Sequence, residues 1–186
     1  MAEGKLIVIG GSAGSLAPML KIASLFREGM NASVLVVMHR APSEESVLSE
    51  VLLSRTGFGV KEVDDKDELR AGVMYIAPPD YHVLVEKDKC LTLDDSEKVN
   101  FSRPSIDVTF ESAAEVYGRS LVCVLLSGAN ADGAAGLAKA KEKGAIVIVQ
   151  DPATAEFAFM PQKGLEHVKP DMILTDYTVQ KITDYL

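Results

Sequence analysis

At 186 residues, with 47% apolar and 25% charged content, the chain fits one domain (residues 1–186) and can bury a core without help from disulfides or metal. A formal net charge of −8 leaves nothing to offset phosphate repulsion, which excludes nucleic acid as a general partner, and no apolar run is long enough to cross a bilayer. The two cysteines, Cys90 and Cys123, stand in strand-like apolar contexts without metal-ligand spacing; together with the lack of a signal-peptide pattern they read as buried free thiols of a cytoplasmic protein, with no metal or cofactor expected.

In chain order, residues 6–9 form a β-branched apolar run suited to a strand buried on both faces. They lead into Gly10-Gly11-Ser12-Ala13-Gly14-Ser15 and then a helical pattern through Leu16, Met19, Leu20 and Phe26. A second strand over 33–38 delivers His39-Arg40-Ala41-Pro42, and Ser43-Glu44-Glu45 reads as the start of a helix carrying Val47, Leu48, Val51 and Leu52. Residues 60–63 form a short strand, 64–68 an acidic solvated loop, and 73–77 a strand ending at Pro78-Pro79. Alternation over 81–86 and 90–93 about Lys87-Asp88-Lys89 predicts an antiparallel hairpin.

A polar loop over 96–102 precedes Arg103-Pro104-Ser105-Ile106-Asp107 and a helix ending at Gly118, in which Asp107 is expected to cap or pair locally. Residues 120–126 are the most continuous apolar run, hence a central strand, followed by Ser127-Gly128-Ala129-Asn130-Ala131-Asp132-Gly133 and an alanine-rich helix. A strand over 145–149, a helix from Met160-Pro161, a strand near 172–175 and a short helix over 179–186 complete the chain. Alternating strands and helices of these lengths predict an α/β fold: a doubly wound, mostly parallel sheet in three Rossmann-like layers, with a small antiparallel hairpin.

Gly10, Ser12 and Gly14 satisfy G-x-S-x-G between a strand and a helix, the setting in which a serine hydroxyl is displayed on a sharp turn. The same turn could be purely structural, or could cradle a phosphate. For a dinucleotide, however, GGSAGS falls short of G-x-G-x-x-G, and the second strand ends in His39-Arg40 rather than an acidic residue. Arg40 could still meet a 2′-phosphate, but a histidine at that strand end is what a nucleophilic serine requires.

Ligands of open α/β sheets sit outside the carboxyl ends of the strands, where Ser12, His39 and Asp132 all arrive. They supply a nucleophile, a base and a carboxylate to orient the base. Taken singly, each has an ordinary structural use, and Asp132 before a helix is a natural N-cap. The chain order Ser…His…Asp differs from the Ser…Asp…His of α/β-hydrolases, which argues against that fold. His82 in the hairpin and His167 beside a surface proline are weaker candidates.

At this point the chain resembles the catalytic domain of CheB-type protein-glutamate methylesterases of bacterial chemotaxis. The resemblance spans residues 4–183 and rests on Ile9-Gly-Gly-Ser-Ala-Gly14, His39, Tyr75-Ile-Ala-Pro-Pro-Asp80, Arg103-Pro-Ser-Ile-Asp107, Leu126-Ser-Gly-Ala-Asn-Ala-Asp-Gly133, and Gln150-Asp-Pro-Ala-Thr-Ala155 with Met160-Pro161. It implies a serine hydrolase that demethylates γ-glutamyl methyl esters, and deamidates some glutamines, on the cytoplasmic domain of methyl-accepting chemoreceptors. Ser12 would be the nucleophile, His39 the base, Asp132 the orienting carboxylate, and Ala13 and Ala129 the backbone donors to the oxyanion. Arg40 and Arg103 are candidates for holding acidic receptor surface, and Phe159 and Met160 for the groove floor. A catalytically weak scaffold that binds receptor or partner proteins is the alternative. The chain departs from the family pattern at Ala13, where threonine is usual, and in its SGANADG loop, where T-G-M-G-x-D-G is usual. It also begins at the first catalytic strand, without the receiver domain of the best-known members, so regulation by another route, or constitutive activity, is expected.

Overall fold

The computed structural model describes residues 4–40 and 45–186. Its centre is a seven-stranded sheet whose strands, in chain order, are β1 (Lys5–Gly11), β2 (Ala32–Met38), β3 (Gly59–Glu62), β5 (Val73–Ile76), β8 (Leu121–Leu125), β9 (Ile146–Gln150) and β10 (Met172–Leu174). Spatially they run β10-β9-β8-β1-β2-β5-β3, and every pairing is parallel. Parallel strands need crossovers that cover both faces, so the strand sequences alternate between two apolar cores instead of between core and water. Leu6, Val8, Leu35, Val37, Cys123 and Leu125 face one core, shared with Phe110 and Leu137. Ile7, Ile9, Val34, Val36, Val122 and Val124 face the other, shared with Met19, Ile22 and Phe26.

The helices are α1 (Leu16–Ala23), α2 (Glu45–Leu53), α3 (Ile106–Tyr117), α4 (Ala134–Glu142) and α5 (Phe159–His167); a 3₁₀ segment, Val179–Tyr185, closes the chain. The expected start of α2 at Ser43-Glu44 lies outside the described residues. The antiparallel part is larger than a hairpin and separate from the main sheet: β4 (Asp67–Glu68), β6 (His82–Val85) and β7 (Cys90–Asp94) pair in the order β4-β7-β6. The acidic stretch expected to be a solvated loop therefore contributes a strand. Asp67 is held there by Lys61, 2.7 Å away, and by the Asp64 N–H. Both cysteines are free, but Cys90 is only half-buried, because β7 presents one face to solvent; Cys123 is fully buried.

Close packing of α3 onto the sheet depends on one missing Cβ. A side chain at Gly10 would come within 2.4 Å of Ile106 Cγ2. Glycine there lets the first residue of α3 rest directly on the carboxyl end of β1, and so brings the start of that helix to the sheet edge.

Candidate active site

Strand register places the first two groups. Gly11 of β1 lies opposite Met38 of β2, and the His39 N–H donates to the Gly11 carbonyl at 3.2 Å, so Ser12 and His39 leave the sheet side by side. On the other flank of β1 the Ser12 N–H donates to the Ser127 carbonyl at 2.9 Å. Gln150 Oε1 accepts the Ser127 N–H at 2.8 Å, and Ser127 Oγ donates to the Ala13 carbonyl at 2.8 Å, which ties the loops after β1, β8 and β9 together. These three loops form the edge at which the candidate residues collect.

His39 Nε2 meets Asp132 Oδ2 at 2.8 Å, with the carboxylate fully buried. Asp132 does not cap the helix that follows it; Gly133 occupies the N-cap of α4, with no side-chain cap bond. Its carboxylate instead sits at the N-terminus of α3. Oδ2 also accepts the Ile106 N–H at 2.6 Å, while Oδ1 accepts Ser105 Oγ at 2.8 Å, the Asp107 N–H at 3.1 Å and Asn100 Nδ2 at 3.2 Å. Burial by itself would raise the Asp132 pKa, but the hydrogen bonds from His39 and the α3 backbone outweigh it and hold the carboxyl below its ordinary value. A carboxylate acceptor on Nε2 fixes the neutral imidazole as the Nε2–H tautomer, leaving Nδ1 as the basic nitrogen. Around Nδ1 stand two donors, Ser102 Oγ and Asn130 Nδ2, each at 3.5 Å.

The Ser12 hydroxyl is partly exposed and, among the described residues, enters no hydrogen bond; the neighbouring Ser15 Oγ takes the Ser12 carbonyl at 2.7 Å. The N–H groups of Ala13 and Ala129 likewise donate to nothing among the described residues, and both residues are exposed. Unengaged N–H groups in the loops after β1 and β8 are the kind of donor that an oxyanion requires.

Two expected substrate contacts lie elsewhere. Arg40 is 2% exposed at its side chain, with Nη2 donating to Glu62 Oε2 at 2.8 Å and to the Ala77 carbonyl at 3.2 Å, so the guanidinium is turned inward from a docking surface. Met160 is fully buried and packs under the Ser127–Gly128 turn, where a Cβ on Gly128 would approach Met160 Cε to 2.5 Å. It shapes the loop from below. Arg103 is also structural, its Nη1 donating to the carbonyls of Asp95 and Ser96 at 2.8 Å. Phe159, by contrast, is exposed.

Sequence reasoning missed Asn100 and Ser102, and it marked Ser105 and Gln150 only as parts of motifs at the site, without their roles in holding the carboxylate and the loops. It also misplaced Asp107, whose partners are the Gly136 N–H of α4 at 2.6 Å and Asn100 Nδ2 at 2.8 Å, not groups of its own helix. Burial pushes the Asp107 carboxyl up, against the Gly136 hydrogen bond and with help from the charge of Asp132. The available signal was the polar cluster 100–107 itself, but nothing in its spacing says which distant carboxylate it serves. His82 is buried and structural, with Nδ1 accepting the Ser105 N–H at 3.0 Å and Nε2 on the Glu97 carbonyl at 2.9 Å.

A family model described as CheB methylesterase matches residues 7–183. A Leptospira interrogans protein, provisionally named a protein-glutamate methylesterase/protein-glutamine glutaminase, is 43% identical over 169 residues, covering 91% of this chain and 88% of its own. The Thermotoga maritima protein-glutamate methylesterase/protein-glutamine glutaminase is 34% identical over 180 residues, 95% of this chain but 52% of that protein. The crystal structure of the Thermotoga maritima CheB methylesterase catalytic domain superposes with a TM-score of 0.90 at 34% identity, covering 96% of each chain.

Proposed function

We propose, because the chain belongs to the CheB methylesterase family, that it is a serine hydrolase that demethylates γ-glutamyl methyl esters on the cytoplasmic helices of chemoreceptors. It acts in the cytoplasm as a single catalytic domain over residues 1–186, and the same chemistry extends to deamidation of receptor glutamines. The observation that carries the mechanism is the His39–Asp132 pair, held at the strand end that lies in register beside Ser12.

In this reading the Ser12 hydroxyl attacks the ester carbonyl as His39 Nδ1 takes its proton; Asp132 stabilises the imidazolium that results without accepting the proton itself. The N–H groups of Ala13 and Ala129 meet the tetrahedral oxyanion, a contribution of about 3 kcal/mol per donor in comparable sites. Because the donors are backbone groups, alanine at 13 and 129 serves as well as a bulkier residue. His39 returns the proton to the leaving methoxide, methanol departs, and a water activated by the same nitrogen hydrolyses the acyl-enzyme. For a glutamine the leaving group is ammonia, and the remaining steps are the same. Asp132 needs no conformational change to play its part, since its five donors are already in place.

Ser12→Ala is expected to abolish methanol release from a methylated receptor cytoplasmic fragment while leaving the fold intact, measured by gas chromatography of released methanol and by circular dichroism. Methanol release that persists in the variant at the wild-type rate would refute a serine mechanism. A wild-type protein that binds the fragment and releases no methanol would instead support a docking role without hydrolysis.

A further inference from the structure

The loop just before α3 carries an aromatic side chain that the fold does not use. Val99 and Ser102 pair across a two-residue turn, the Val99 N–H donating to the Ser102 carbonyl at 3.1 Å and the Ser102 N–H to the Val99 carbonyl at 2.9 Å. The central residues, Asn100 and Phe101, both have positive φ, +51° and +61°. That is the geometry of a type I′ turn, whose second central position is glycine by preference because a side chain there is strained. Here it is a phenylalanine, 97% exposed.

The neighbours of Phe101 are not free in the same way. Asn100 turns its amide inward onto Asp107 and Asp132, and Ser102 Oγ stands 3.5 Å from His39 Nδ1. The turn is therefore fixed to the orienting carboxylate on one side of its tip and to the basic nitrogen on the other. Phe101 stands between those two anchored residues, on the turn that borders His39, and its ring projects into water. An aromatic ring in a strained conformation, with its apolar area wholly hydrated, is a cost to the free protein that a bound partner can recover. Tyr177 is as exposed, at 94%, but it lies on the turn after β10 and, among the described residues, shares no hydrogen bond with His39 or Asp132.

We propose that Phe101 is a docking residue for the protein substrate, packing on an apolar side chain one helical turn from the esterified glutamate and so setting which helix face is presented to Ser12. Residues three and four apart lie on one face of a helix, so a ring on the turn that borders His39 can touch such a side chain while the ester is over the serine. This role rests on the methylesterase reading. It makes Phe101 a determinant of specificity for a folded helical substrate, with no part in the bond-breaking steps.

The test is Phe101→Gly, the residue that the turn itself prefers, compared with Phe101→Leu, which keeps an apolar side chain. Thermal unfolding of Phe101→Gly is expected at or above the wild-type temperature. KM for a methylated receptor cytoplasmic fragment is expected to rise about tenfold, the scale of a buried aromatic contact, with kcat retained and with Phe101→Leu recovering much of the loss. Hydrolysis of a single blocked glutamate γ-methyl ester is expected to be unchanged, since that substrate reaches Ser12 without the ring. An unchanged KM for the fragment, or an equal fall on both substrates, overturns the docking role. Binding of the fragment in the Ser12→Ala background separates this from a failure of the methylesterase reading. If wild type hydrolyses neither substrate but Phe101→Gly still weakens binding about tenfold, the docking role stands and the hydrolase falls. A dimer of the wild type that Phe101→Gly dissociates, with receptor binding unaffected, would assign the ring to self-association and overturn the proposal.

Discussion

At the scale of single residues, Asp132 carries the most. One carboxylate satisfies five donors: the N–H groups of the first two residues of α3, the hydroxyl of Ser105 just before that helix, the Asn100 amide and the imidazole. It orients the base and caps a helix in the same act, so its replacement has two separable consequences. Asp132→Asn can accept through one atom only and presents donors to donors; buried N–H groups left without a partner cost about 1–3 kcal/mol each. With the imidazole no longer locked as the Nε2–H tautomer, kcat for ester hydrolysis is expected to fall by roughly 10³–10⁴, as in other triads of this logic. The pH dependence follows from the depressed carboxyl pKa. The stability it confers is fully present above the ordinary carboxylate range and is lost as pH falls through the depressed folded value, below about pH 4. Urea unfolding from pH 7 to pH 3 should therefore show an acid-side loss of stability in the wild type that is shallower in Asp132→Asn.

At the scale of elements, the site is a property of three loops locked to one another. The turn after β8 is the most constrained, with Gly128 lying on Met160: the Met160 N–H donates to the Gly128 carbonyl at 2.9 Å and the Gly128 N–H to the Phe157 carbonyl at 3.1 Å. A methyl group at 128 would meet Met160 Cβ, Sδ and Cε together, at 3.1, 2.6 and 2.5 Å. Gly128→Ala is thus expected to push the Ala129 N–H away from the oxyanion position, lowering kcat about tenfold or more and stability by about 1–3 kcal/mol. Met160→Ala opens a core cavity and costs stability alone, about 2–5 kcal/mol. In the double variant the space left by the thioether accepts the new methyl, so the two losses should be less than additive; additive losses in a double-mutant cycle would mean that the contact does not govern the turn.

At the scale of the whole molecule, a large parallel sheet with two cores and a small antiparallel sheet share α3, whose Phe110 packs in the same core as Val83 and Leu91 of the small sheet. Val83 is also tied directly to the helix, Thr109 Oγ1 donating to its carbonyl at 2.8 Å. A shared core of this kind predicts one calorimetric unfolding transition, with calorimetric and van't Hoff enthalpies equal. Two resolved transitions would divide the chain into separate folding units. Joining α3 to both sheets also ties the serine edge to the rest of the fold, since the same helix that receives Asp132 at its start packs in the core shared with the small sheet.

What the sequence by itself determined was everything set by local pattern. Apolar runs at 6–9 and 120–126, too short for a buried helix, read as strands covered on both faces, which need no polar side. The carboxyl ends of those strands and of the strand over 33–38 then named Ser12, His39 and Asp132 as residues of one edge. Partnership across the chain was not written there. That Asp132 caps α3 instead of α4, that Arg40 turns inward onto Glu62, that Met160 lies under Gly128, and that residues 67–68 pair with β7 are all long-range choices. A carboxylate, a guanidinium and a thioether each have several acceptable partners within reach of their local sequence. Only the packing of distant elements, with Gly10 allowing α3 onto β1, removed the alternatives.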